Sequence, residues 1–90
     1  SERASNTLKE IVLKAYEGRV DILFVAVGVQ RWGFFDPKTL KVHLHIAREP
    51  GDEDLLDFAA VHTYLSGGTV YAVKPEEVPD EGPVAALFRY

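Results

Sequence analysis

The sequence predicts an α/β fold: a three-layer α/β/α sandwich around a mixed central sheet, with elements in the order α-β-β-β-α-β-β. Three observations lead there. Val20 to Val27 (VDILFVAV) is nearly continuous apolar sequence rich in β-branched residues, which suits a strand buried on both faces with helices packed on each side. Two segments with helical spacing bracket a pair of shorter strand-like runs. Turn signals, mostly Gly and Pro, separate nearly every element.

The first helix starts near Asn6 or Ser5, either of which can cap it. Leu8, Ile11, Val12 and Ala15 fall on one face, and Lys9, Glu10, Lys14 and Glu17 on the other. Gly18 ends it as a left-handed C-terminal residue. After the Val20 strand and Gly28, Trp32 to Asp36 and Leu40 to Ile46 read as strands joined by Asp36-Pro37-Lys38-Thr39. Asp at the first position and Pro at the second favour a type I turn. Pro50-Gly51 breaks the chain, and Asp52 or Asp54 caps a second helix running to about Ser66. Gly67-Gly68 stops it. Leu55, Leu56, Phe58, Ala59, Val61 and Leu65 make this helix apolar over much of its girth, so deep packing is expected. Thr69 to Val73 is a strand, Lys74 to Pro83 a stiff acidic loop, and Val84 to Tyr90 a closing strand.

Composition narrows the class. Ninety residues form one domain, 1–90, and a chain of this size buries little more than ~60% of its unfolded surface. With 47% hydrophobic residues, that is enough for a single core. The absence of cysteine rules out disulfides and cysteine zinc sites and fits a cytoplasmic protein. No apolar run reaches the ~18 residues of a membrane span. The chain has no methionine, so Ser1 reads as a cut end and the natural protein is expected to extend upstream.

The net charge of −4 hides an asymmetry: residues 1–48 carry +3 and residues 49–90 carry −7. The acids of the second half cluster at Glu49, Asp52, Glu53, Asp54 and Asp57, and again at Glu76, Glu77, Asp80 and Glu81. Concentrated Lys and Arg, as phosphate-backbone binding requires, are missing.

No residue pattern demands catalysis or a cofactor. His43 and His45 share a strand face and could start a metal site with His62 or a carboxylate as third ligand, but no third ligand stands out and a solvated polar face explains them better. His62 lies on the stripe of Leu55, Phe58 and Ala59, which suits a packed, hydrogen-bonded core histidine. Asp52, Glu53 and Asp54 offer magnesium ligands, but capping and the helix dipole account for acids in a first turn. Gly67-Gly68 follows a helix and precedes a strand, the reverse of a phosphate loop. Gln30, Arg31 and Trp32 stand out, because Arg and Trp anchor protein interfaces; Trp32 filling the core is an equal reading. If the strands run as the order implies, the loops Gly28 to Arg31, Ala47 to Asp54 and Lys74 to Pro83 share one edge, where open α/β sheets bind ligands. The expected partner-binding residues are Gln30, Arg31, Trp32, Asp52, Glu53, Asp54, Glu76 and Glu77. No cofactor and no metal are expected.

Three strings carry a resemblance: VGVQRWGFFDP (Val27 to Pro37), PGDEDLLDFAAVHTYLSGGTVYAVKPEEVP (Pro50 to Pro79) and the terminal AALFRY (Ala85 to Tyr90). Together they resemble the C-terminal domain of bacterial proteins related to archaeo-eukaryotic peptide-chain release factors. That domain is similar to the third domain of release factors and Pelota, with the α/β/α fold of ribosomal kink-turn-binding proteins. The resemblance implies a module of a longer, ribosome-associated protein, one that docks a protein partner or the ribosome and is not an enzyme. In release factors the Gly-Gly-Gln hydrolysis motif belongs to the middle domain, and here Gly67-Gly68 is followed by Thr69. Kink-turn binders contact RNA through a Gly-Asn-Glu motif at a helix start, where this chain has Gly51-Asp52-Glu53-Asp54. Direct structured-RNA binding through the basic first half is the alternative reading, and a small hydrolase a third, disfavoured one.

Overall fold

The computed structural model describes residues 3–90. In chain order the elements are β1 (Ala4–Ser5), α1 (Leu8–Tyr16), β2 (Val20–Ala26), β3 (Trp32–Asp36), β4 (Lys41–His45), β5 (Glu53–Asp54), α2 (Leu55–Leu65), β6 (Thr69–Val73) and β7 (Val84–Phe88). Two short 3-10 turns, Pro75–Glu77 and Pro79–Glu81, fill the acidic loop. Apart from the two-residue strands β1 and β5, the order of helices and strands is the one the sequence predicts.

The larger sheet is mixed, in the order β1-β7-β2-β6. Its interior strand is β2, parallel to β6 and antiparallel to β7, so the apolar Val20 run does sit inside the sheet. Leu23 lies opposite Ala86 and Val70, and Val25 opposite Val84. These side chains make one face of the sheet, against which α1 packs Ile11 and Ala15 and α2 packs Leu56 and Ala59. Both helices therefore cover the same face and touch each other extensively.

The layering differs here from helices on both sides of one sheet. β3 has both edges occupied, by β4 and by β5, and β2 has both occupied by β6 and β7. The β3–β4 hairpin, with β5 on its other side, forms a second, antiparallel sheet. It packs on the far side of the helices, where Phe35 meets Tyr16 (ring centroids 4.6 Å) and Phe58 (5.6 Å). The sandwich thus runs sheet, helices, sheet. On the other face of the larger sheet, the 3-10 segment lays Val78 against Ala26 and Ala85, and the rest stays open. Ile22, Phe24 and Ala26 share that face as the alternation predicts. Val27 lies beyond the strand and is half exposed.

Local signals explain the boundaries. Gly18 (φ +74°) ends α1 in the left-handed conformation its sequence position suggests. Thr7 takes the N-cap position instead of Ser5 or Asn6, without a side-chain bond; Ser5 Oγ instead accepts from the Thr7 N–H (3.1 Å). Asp54, not Asp52, caps α2, accepting from the Leu56 N–H (3.1 Å). The hairpin turn is one residue longer than a type I turn, because the Leu40 N–H reaches the Asp36 carbonyl (2.8 Å) with Leu40 at φ +59°. The second strand of the hairpin consequently starts at Lys41. The Asp36 carboxylate accepts from the Lys38 N–H (2.9 Å), which holds its pKa below the ordinary value.

Two predictions follow from this packing. Leu23→Ala removes a fully buried side chain and is expected to cost about 2–5 kcal/mol. Phe24→Ala, one residue on, removes a larger side chain from the open face and should fall short of the ~3–5 kcal/mol of a buried phenylalanine. Urea unfolding of both variants checks the order; a larger loss at Phe24 contradicts the layering. At Gly33 an added Cβ would collide with the His43 carbonyl oxygen of the neighbouring strand β4 and sit 3.0 Å from Leu55 of α2. Gly33→Ala is therefore expected to cost about 1–3 kcal/mol by overpacking, and an unchanged unfolding midpoint would refute that tight approach.

Candidate functional site

Two of the expected docking loops, Gly28 to Arg31 and Lys74 to Pro83, leave the larger sheet where the parallel strands β2 and β6 finish; the third, Ala47 to Asp54, leads from β4 into β5 of the smaller sheet. Gly28 (φ +77°) turns the chain out of β2 toward Gln30 and Arg31, both exposed. The Arg31 N–H donates to Asp54 Oδ1 (3.0 Å), and the Arg31 carbonyl accepts from the Leu55 N–H (2.8 Å). One carboxylate thus caps α2 and clamps the loop against it. The Arg31 guanidinium folds back onto the Gln30 carbonyl (2.9 Å).

Trp32 opens β3 directly opposite His45 and is half-buried, between its two readings. The Arg48 guanidinium lies over its ring, 4.9 Å from the centroid. Ile46 beside it is fully exposed. Gln30, Arg31, Trp32, Leu44, His45 and Ile46 line a shallow groove of about 370 Å3. Three of the predicted residues therefore share a surface with two exposed aliphatic side chains that sequence reasoning missed. Ile46 looked like the end of a half-buried strand, and nothing in its pattern shows that β4 stops one residue before it.

The acidic residues divide by role. Asp52 is buried, with Oδ2 accepting from the Glu49 N–H (2.9 Å) and from His45 Nδ1–H (2.8 Å). Glu49 approaches the same imidazole nitrogen at 3.8 Å. Burial pushes the Asp52 carboxyl up, but the His45 and Glu49 hydrogen bonds outweigh it and leave its pKa below the ordinary value. The bond to Asp52 raises the pKa of His45 against the opposing effect of burial. This pair ties residues 46–51 to the hairpin. Glu53 is exposed and pairs with Gly33 in β5.

Glu76 and Glu77 lie in the loop that leaves β6 at the same end, and both are exposed. Glu77 accepts from the Lys74 N–H (3.0 Å), closing the first 3-10 turn. Among the described residues, no hydrogen bond or ion pair joins either glutamate to Asp52, Glu53 or Asp54.

His43 and His45 do face the same way, with Phe34 stacked on His43 at 4.5 Å and tilted against His45 at 6.2 Å. Among the described residues no group of three His, Asp or Glu side chains is placed to hold a metal ion. His62 packs against the rings of Phe58 (4.2 Å) and Tyr16 (5.9 Å), a contact of rings where a hydrogen-bonded core histidine was expected. Among the described residues no helix is long and apolar enough to cross a membrane. No protein-family model and no curated protein matches the chain.

The His45–Asp52 pair predicts a definite pH dependence of stability. The raised His45 pKa contributes stability that is complete below the unfolded value of about 6.5 and is lost as pH rises through the folded value. The lowered Asp52 pKa contributes stability present above about 3.8 and lost as pH falls through its folded value. The pair therefore stabilises most between those limits. In thermal unfolding from pH 5 to 9, the Tm of the native chain should decline on the alkaline side, and His45→Gln should flatten that decline. An identical decline in the variant contradicts the coupling.

Proposed function

We propose that the chain is a non-catalytic docking module of a cytoplasmic, ribosome-associated, release-factor-like protein, and that it binds a protein partner. The groove beside Trp32 carries this reading. It combines an arginine, a half-buried tryptophan and the exposed Leu44 and Ile46, the residue chemistry of an interface anchor with an apolar rim. The loop holding it is tied down at Asp54 and Asp52, so little ordering entropy is lost on association. The exposed Glu49, which approaches His45, and the exposed Glu53, paired with Gly33 beside Trp32, add negative charge that favours a basic protein surface, such as that of a ribosomal protein.

The state of the arginines favours protein over RNA. Arg19 bonds to Glu17 and to the Tyr90 carbonyl, and Arg89 to the carbonyls of Gly18 and Ser66. Arg31 turns back on Gln30, and Arg48 lies on Trp32. Three guanidiniums of the basic first half, and Arg89 of the second, are thus engaged within the molecule. The His45–Asp52 pair resembles a catalytic dyad, yet the same Asp52 oxygen also holds the Glu49 N–H, which is a loop-fastening arrangement.

Co-sedimentation with bacterial ribosomes over a salt series tests the proposal. Binding should weaken only modestly with salt, as for a few rim charges, and about 30-fold in Ile46→Asp, the scale of a ~2 kcal/mol anchor. Trp32→Ala should raise the dissociation rate. Binding to protein-free ribosomal RNA with a steep salt slope, indifferent to Ile46→Asp, would establish the RNA reading instead.

A further inference from the structure

We propose that the open face of the larger sheet is a second docking site, and that its occupant is an amphipathic basic polypeptide segment. The site lies on the opposite side of the sheet from the helices and stands apart from the Trp32 groove. Its floor follows from the register. Phe24 lies opposite Tyr71 on one side and Ala85 on the other, and Ile22 opposite Leu87. The Phe24 and Tyr71 rings stack at 5.4 Å, yet Tyr71 remains 49% and Leu87 42% exposed. Phe24, Ala85 and Leu87 of this floor line a groove of about 300 Å3 with Ala86, the Pro79–Asp80 corner, Ala4, Ser5 and Asn6, and the partners Tyr71 and Ile22 extend the apolar surface beside it. That volume is at the small end for a ligand pocket and suits one or two large apolar side chains inserted from a partner segment.

The charge of the rim selects the occupant. The 3-10 segment that walls the groove is held down by one buried side chain, Val78, and presents Glu76, Glu77, Asp80 and Glu81 to solvent. Lys74 is the one cation of residues 74–83. An acidic wall repels nucleic acid and anionic lipid, whose phosphates need the opposite sign. A second copy of this chain carries net charge −4 and is likewise disfavoured. A helix with leucines on one side and lysines on the other satisfies both the floor and the wall. The wall is also built to keep its shape. Glu77 closes the first turn, and Pro79 begins the second, a tight turn closed from the Glu81 N–H to the Val78 carbonyl (2.9 Å) with Asp80 at φ +64°.

The probe is a short synthetic helix of leucine and lysine, with a leucine and glutamate helix of the same pattern as control. Titration of the full chain, followed by amide chemical shifts, should show binding of the lysine peptide alone, with shifts centred on Ile22, Phe24, Tyr71 and Leu87. Tyr71→Ser with Leu87→Ser, both exposed positions, should weaken binding about tenfold or more while circular dichroism stays native. Glu76→Gln with Asp80→Asn should weaken it too, since asparagine tolerates the left-handed backbone at that corner. Ile46→Asp should leave this affinity unchanged, which separates the site from the Trp32 groove. Equal affinity for both peptides, shifts centred on Trp32 and Ile46, or a concentration-dependent dimer abolished by Tyr71→Ser would each overturn the assignment.

Discussion

Leu23 and Val25 of β2, Val84, Ala86 and Phe88 of β7 and Val70 of β6 form one continuous apolar surface, and both helices are seated on it. Everything else in the molecule is arranged around that contact. Because the two helices share one face, they press on each other, and their outer sides become the floor for the hairpin sheet. The aromatic chain Tyr16, Phe35, Phe58 and His62 fills that second layer. A 90-residue chain has only enough apolar surface for one deep core. Covering one sheet on both faces with separate helices would divide it. Stacking both helices between two sheets keeps it whole, and the far face of the larger sheet is what remains open.

Most element positions were legible in the sequence because the signals there are local. Glycine at Gly18 and Gly67, the Asp36-Pro37 turn and the helical spacing of Leu8, Ile11, Val12 and Ala15 act over a few residues, where propensity and periodicity speak directly. Layering is not local. The run VDILFVAV implies two apolar faces, and both faces are indeed apolar, but hydropathy cannot say whether a facing element exists to cover each. Ile22 and Phe24 have the composition of core residues and half the burial. The same limit hid the two-sheet arrangement and the two-residue strand β5 that occupies the second edge of β3. No pattern in Glu53–Asp54 signals a strand.

The candidate site was legible to a similar depth. Residue type picked out Arg31 and Trp32, and chain direction placed their loop at the carboxyl ends of β2 and β6. What escaped was the sorting of the acids. Asp52, Glu53 and Asp54 are chemically alike and adjacent, yet one is buried against His45, one lies exposed in a strand and one caps a helix. Burial makes the difference, and burial is decided by contacts seven to twenty-three residues away.

The two grooves floored by apolar side chains are stiffened by different means. Beside Trp32, carboxylates do the work: Asp54 grips the Arg31 amide, and Asp52 grips His45 and the Glu49 amide. The strength of that fastening rises and falls with the protonation of one imidazole. On the open sheet face, the wall is held by a buried Val78, by prolines, by a backbone turn and by Glu77 on the Lys74 amide, with no imidazole among them. Loss of the proton on His45 therefore loosens residues 46–51 and the groove beside them while leaving the sheet-face groove as it was. A surface whose anchors are ion-paired and one whose anchors are apolar will respond differently to the same change in solution, although both are carried by a single core.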